Sequence, residues 1–117
     1  MELAELVDAL VACDAIRCRS WLAAATRTGF DWSRVPELRG VDALSLAVAA
    51  GVVEMMAERE QRPAPAWTSR VPASPRPMFL IRAADSMPRL RRLCEEEGPW
   101  PLRRRGIFAP PEFLTAA

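Results

Sequence analysis

Between Ala43 and Val53 the chain carries no charged side chain. The stretch from about 41 to 61 therefore reads as a helix that is apolar on nearly every side, and such a helix is stable only where neighbours cover it all round. It must run through the middle of the fold. Gly51 lies inside it at a cost of about 1 kcal/mol relative to alanine, which close packing of another element against the bare backbone offsets. Met55 and Met56 continue the apolar face, Glu58, Arg59, Glu60 and Arg62 return the chain to solvent, and Pro63 stops the helix.

Two shorter helices are predicted ahead of it. Leu3, Leu6, Val7, Leu10 and Val11 recur at helical spacing, with Glu2, Glu5 and Asp8 on the other side and in the favoured first turn, which places a helix over about 2–13. Asp14 is placed to cap a second, about 15–28, in which Cys18, Trp21, Leu22 and Ala25 share a face and Gly29 ends it. The two form a hairpin. The connector that follows carries Phe30 and Trp32, whose rings are expected to fold back onto the core they border.

The second half is written in prolines. Residues 63–77 contain Pro63, Pro65, Pro72, Pro75 and Pro77 with Trp67 between them, an extended and partly polyproline-like segment too apolar for a plain tether. Residues 77–81 form a short strand or an apolar anchor. Ser86 is then placed to cap a short helix of about 87–97, lined by Met87, Leu90, Leu93 and Cys94 and stopped by Gly98 and Pro99. Its arginines lie early and Glu95, Glu96 and Glu97 late, against the helix dipole, so something outside the helix is expected to use those charges. The expectation is a mainly α fold of about four helices, with residues 1–62 as helical core and 63–117 as a proline-rich, partly extended half packed on the same single domain; 117 residues suffice for one core and not for two.

Composition narrows the chemistry. All sixteen basic residues are arginine, there is no lysine, histidine, tyrosine or asparagine, and the formal charge is +1. Without histidine or lysine the chain lacks a ready general base near neutral pH and an amine nucleophile, so it is expected not to be an enzyme. A charge near zero provides no global field for nucleic acid, and any basic function must be local. Cys13, Cys18 and Cys94 show no C-x-x-C spacing and point to no metal or cofactor. They read as free thiols in a reducing cytoplasm, and Cys94, though near Arg91, as an inert buried one. No apolar run approaches the ~20 residues that span a bilayer, and the acidic start, Met1-Glu2-Leu3-Ala4-Glu5, is unlike a signal peptide.

What remains is Arg103-Arg104-Arg105, running through Gly106 into Ile107 and Phe108 with prolines before and after. The guanidinium fork suits carboxylates and phosphates alike. Three readings stay open: a basic turn satisfied by Glu95–Glu97 of the same chain, an acidic protein partner, or nucleic acid, for which the basic footprint is small. Trp67, Trp100 and Phe108, with Arg91 and Arg92, have the composition of a protein-binding hot spot, or they dock the second half onto the core.

The order of these features resembles a known module. A long apolar helix, Ala64-Pro65-Ala66-Trp67, an anchor around Phe79, a short helix with Leu90 and then Leu102-Arg103-Arg104-Arg105-Gly106-Ile107-Phe108 are similar to a part of small actinobacterial proteins. These often carry a helix-turn-helix domain and are encoded beside minimal nucleotidyltransferases in toxin–antitoxin-like pairs. The resemblance covers residues 41–117. In the family a small residue, proline and phenylalanine precede the Arg-Arg-Gly-Ile-Phe run, where this chain has Gly98-Pro99-Trp100-Pro101-Leu102. There is no room ahead of the module for a complete helix-turn-helix domain, which counts against DNA-binding autoregulation. The resemblance implies a non-enzymatic antitoxin whose arginines engage acidic groups of a nucleotidyltransferase toxin; the alternative is a small DNA- or RNA-binding regulator.

Overall fold

In the computed structural model, which describes residues 2–115, the chain folds mainly into helices. Helix α1 spans Leu3–Val11 and buries Leu3, Leu6, Val7 and Leu10; the Glu2 amide donates to Glu5 Oε1 at 3.0 Å across its first turn. It ends two residues before the expected bound, because Cys13 takes a left-handed conformation (φ 55°) that no helix continues through. Asp14 then caps α2, Ala15–Thr28, accepting from the Arg17 amide at 3.1 Å, and Gly29 closes it at φ 68°. Both devices are the expected ones. The connector rings fold back: Phe30 lies 5.1 Å and Trp32 5.7 Å from the Trp21 ring.

The uncharged run forms α3, Ala43–Arg59, capped by Asp42, whose carboxylate accepts from the Ser45 amide at 2.7 Å. Leu44, Ala47, Val48, Ala49, Ala50, Val52 and Val53 are all buried, on every side of the helix. The predicted close approach occurs at Gly51. A Cβ there would sit 2.6 Å from Leu102 Cδ2 and 3.2 Å from the Pro101 carbonyl, so the backbone of the second half lies directly on α3.

The second half is more structured than an extended segment. Residues 66–70 form a 3-10 helix, Ala66–Arg70, that turns Trp67 inward, and its indole donates to the Val35 carbonyl at 2.8 Å. The anchor is a strand. β1, Met78–Phe79, pairs in parallel with β2, Ile107–Phe108, in the register Met78 to Ile107 and Phe79 to Phe108. Between the strands, α4 spans Pro88–Glu97 and a short α5 spans Trp100–Arg103, the latter not anticipated from the sequence. Ser86 does not cap α4. Pro88 occupies the first helical turn and forces extended backbone on Met87 (φ −120°, ψ 93°), which becomes the cap without a side-chain bond. Met87 is exposed rather than part of the apolar face, on which Cys94 is fully buried and Leu90 and Leu93 are half-buried.

One core joins both halves. Leu6, Val7 and Leu10 of α1, Trp21 of α2 and Val48 and Val52 of α3 belong to the same buried cluster as Trp67, Val71, Leu80, Leu102 and Ile107. The radius of gyration of 13.2 Å is that of a single compact unit of this length, about 13 Å. No helix among the described residues is long and apolar enough to cross a membrane.

Candidate functional site

The arginine turn is built from its ends inward. Pro99 and Pro101 preset φ for the first turn of α5, and Gly106 at φ 77° releases the chain into β2. Between them Arg105 points into the protein and is 1% exposed. Its guanidinium meets the Glu54 carboxylate fork to fork, Nη1 to Oε1 at 2.7 Å and Nη2 to Oε2 at 3.1 Å. The same nitrogens donate to the carbonyls of Pro101 at 2.9 Å and Thr68 at 2.7 Å. A planar fork with this many donors is the only cationic side chain that can bind four acceptors in one place. It ties α3, α5 and the 3-10 helix together.

Arg104 approaches the same carboxylate from the solvent side, Nη2 lying 3.0 and 3.1 Å from the two oxygens. Burial raises the Glu54 pKa, and the hydrogen bonds from Arg105 and Arg104 more than reverse that, so the carboxyl titrates below its ordinary range. Arg103 turns elsewhere. It donates to the Glu96 carbonyl at the end of α4 and holds its guanidinium carbon 5.4 Å from the centroid of the Trp100 ring.

These positions revise the expected site. Arg105 and Trp67, both expected to touch a partner, are inside the protein, Trp67 at 6% exposure. The carboxylates of Glu95, Glu96 and Glu97 pair with no arginine among the described residues; the counter-ion of the turn is Glu54. Phe108 is half-buried and packs on Phe79, ring centroids 5.0 Å apart, while Arg91 covers the Phe79 ring at 4.2 Å. Arg92 is exposed. Trp100, at 62%, is the large aromatic left facing solvent, with Arg103 stacked on it and Arg104 beside it.

Next to Trp100 lies a shallow groove of about 710 Å³, bordered by Arg104, Glu58, Arg62, Pro65 and Ser69. It mixes both signs of charge. Elsewhere the thiols are subdued: burial pushes Cys94 up and Cys18 up to about 11, which makes both poor nucleophiles near neutral pH. Among the described residues no three histidine, cysteine or carboxylate side chains are grouped to hold a metal.

Glu54 is the residue that reasoning from sequence missed. Its signal was present: it is the first charge after the uncharged run and lies between Val53 and Met55, both buried, so its carboxylate needed a cation from another element. Comparison with protein-family models, curated proteins and solved structures finds no match to this chain.

Proposed function

We propose that this is a non-enzymatic, protein-binding protein of antitoxin type, which neutralises a nucleotidyltransferase-class toxin through the solvent face of the arginine turn. The observation that carries the reading is Trp100, 62% exposed, with Arg103 stacked on its ring. An exposed tryptophan with an arginine already ordered beside it is the pairing that dominates protein–protein binding energies. The turn beneath it is held by the Arg105–Glu54 fork, so little conformational freedom is left to lose on binding. Arg103 supplies the charge for acidic groups on the partner, and Trp100 the apolar anchor; Arg104, Arg105 and Trp67 act from behind as supports. The resemblance of residues 41–117 to antitoxin-like modules supplies the partner class.

Phosphate binding fits this surface less well. Arg104 and Arg105 already share a carboxylate, which leaves too few uncommitted cations at the turn for the counter-ion release that drives nucleic-acid affinity. The test is whether the gene beside this one encodes a nucleotidyltransferase and, on co-expression, whether this chain relieves its toxicity. The protein should restore growth, and Trp100→Ala with Arg103→Ala should abolish rescue while leaving the unfolding midpoint unchanged. A doubly substituted protein that still rescues fully overturns the reading. Sub-micromolar, salt-sensitive binding to duplex DNA by the isolated protein would replace it with a regulator.

A further inference from the structure

A second concavity shares no lining residue with the Trp100 groove. It has a volume of about 1190 Å³, at or above the ~300–1,000 Å³ of typical small-molecule sites. Its floor is one face of α2, where the small Ala15 and Ala23 are exposed and Cys18 and Leu22 are buried beneath them. Leu80 and Ile81, leaving β1, bound it, as do Phe113 and Leu114 of the C-terminal segment. That last boundary is fixed rather than draped. Arg59, in the final turn of α3, donates to the Phe113 carbonyl at 2.6 Å and the Pro111 carbonyl at 3.4 Å.

The rim is charged in one sense. Arg19, Arg27 and Arg82 line it against a single acid, Glu112. Arg82 is committed in part, donating to the Ala12 carbonyl at 3.0 Å. Arg19 and Arg27 are exposed and pair with no carboxylate among the described residues. Eight residues apart on a helix that rises 1.5 Å per residue, they stand about 12 Å from one another along the helix axis. Apolar walls with cations at the lip complement a molecule that is apolar along its length and anionic at its end.

We infer that this trough is a binding site for a medium-chain carboxylate, its alkyl chain lying between α2 and the Arg59-held C-terminal segment and its head group taken by Arg19 or Arg27. The inference is independent of the proposed function. Small side chains on the α2 face leave room against the C-terminal segment for one alkyl chain.

Isothermal titration with decanoate tests it, with decanol as the uncharged comparison. The expected result is saturable binding of one decanoate per chain, and affinity for decanol lower by about tenfold, the loss of a charge-assisted hydrogen bond. Arg19→Gln or Arg27→Gln should reproduce that loss, and which of them does so identifies the end that takes the head group. Ala23→Trp, at an exposed position on the floor, should fill the trough and abolish binding with the helical circular dichroism unchanged, and Trp100→Ala should bind as the parent does. Failure to saturate, equal affinity for decanol, or undiminished binding by a folded Ala23→Trp protein would each overturn the inference.

Discussion

Arg105 shows how one side chain can look like a ligand-binding group in sequence and act as a strut in structure. In a run of three arginines nothing distinguishes the third, and only its burial against Glu54, with four acceptors around two nitrogens, separates it from Arg104. The two should therefore respond very differently to truncation. Arg105→Ala leaves Glu54 and two carbonyls short of a buried donor and is expected to cost about 3–5 kcal/mol in denaturant unfolding. Arg104→Ala removes a partly solvated pair worth about 0–1 kcal/mol. Arg105→Lys should not recover the loss, since one ammonium cannot span the same acceptors. Equal midpoints for the Arg105→Ala and Arg104→Ala proteins would show that the fork contributes nothing. The same pair sets an acid limit. Because Glu54 titrates lower in the folded protein than in the unfolded chain, its contribution is complete above the ordinary carboxylate value of 4.5 and is lost as pH falls through the depressed one. Asp31, bonded by the Ser33 hydroxyl, and Asp42, bonded by the Ser45 amide, shift the same way. Melting temperature should thus fall on acidification below that value. In Glu54→Gln it should start lower and fall less, leaving only the aspartate part of the slope; an unchanged slope would remove Glu54 from the account.

At the level of elements, α3 was readable from its composition, since a helix with no charge from Ala43 to Val53 has nowhere to be except the centre. The element that covers it was not readable. Residues 100–103 hold a tryptophan, a proline and only four positions, too short for any periodicity to show, and their helical form depends on docking against Gly51. In the same way Pro65 and the residues after it promise an extended path, and the 3-10 helix at Ala66–Arg70 forms because Trp67 gains burial and a bond to Val35. The contact between α3 and α5 can be measured as a coupling. Gly51→Ala gains about 1 kcal/mol of helix propensity in isolation, but its Cβ would meet Leu102 Cδ2 at 2.6 Å and backbone atoms at 3.2 and 3.3 Å. The substitution is expected to destabilise the protein. Combined with Leu102→Ala it should cost less than the sum of the two single changes, with a coupling of about 0.5–3 kcal/mol. A stabilised Gly51→Ala protein would mean that the approach is looser than described.

For the molecule as a whole, the expected division into a helical core and a proline-rich half is a division of sequence character and not of packing. Trp21 and Trp32 from the first half and Trp67 from the second are buried in one cluster around α3, and Leu102 and Ile107 close the face of α3 that the hairpin leaves open. The composition could indicate that a second half so rich in tryptophan and proline had to dock. It could not indicate where, because the ties are long-range: Arg105 to Glu54, Trp67 to Val35 and Arg59 to the Phe113 carbonyl each join residues more than thirty positions apart. A shared core has a thermodynamic signature. If the halves folded separately, the fluorescence of a variant retaining only Trp32, or only Trp67, would change at a different urea concentration from that variant's own helical circular dichroism. With one core, removing either half exposes the apolar surface of α3, so neither half is stable without the other and the two probes must change together. In each variant the fluorescence transition is expected to coincide with that variant's own loss of helical circular dichroism. A Trp67 transition that precedes the helical one in its own variant would instead mean that the second half is a detachable cover and that the arginine turn gains its rigidity only on a partner.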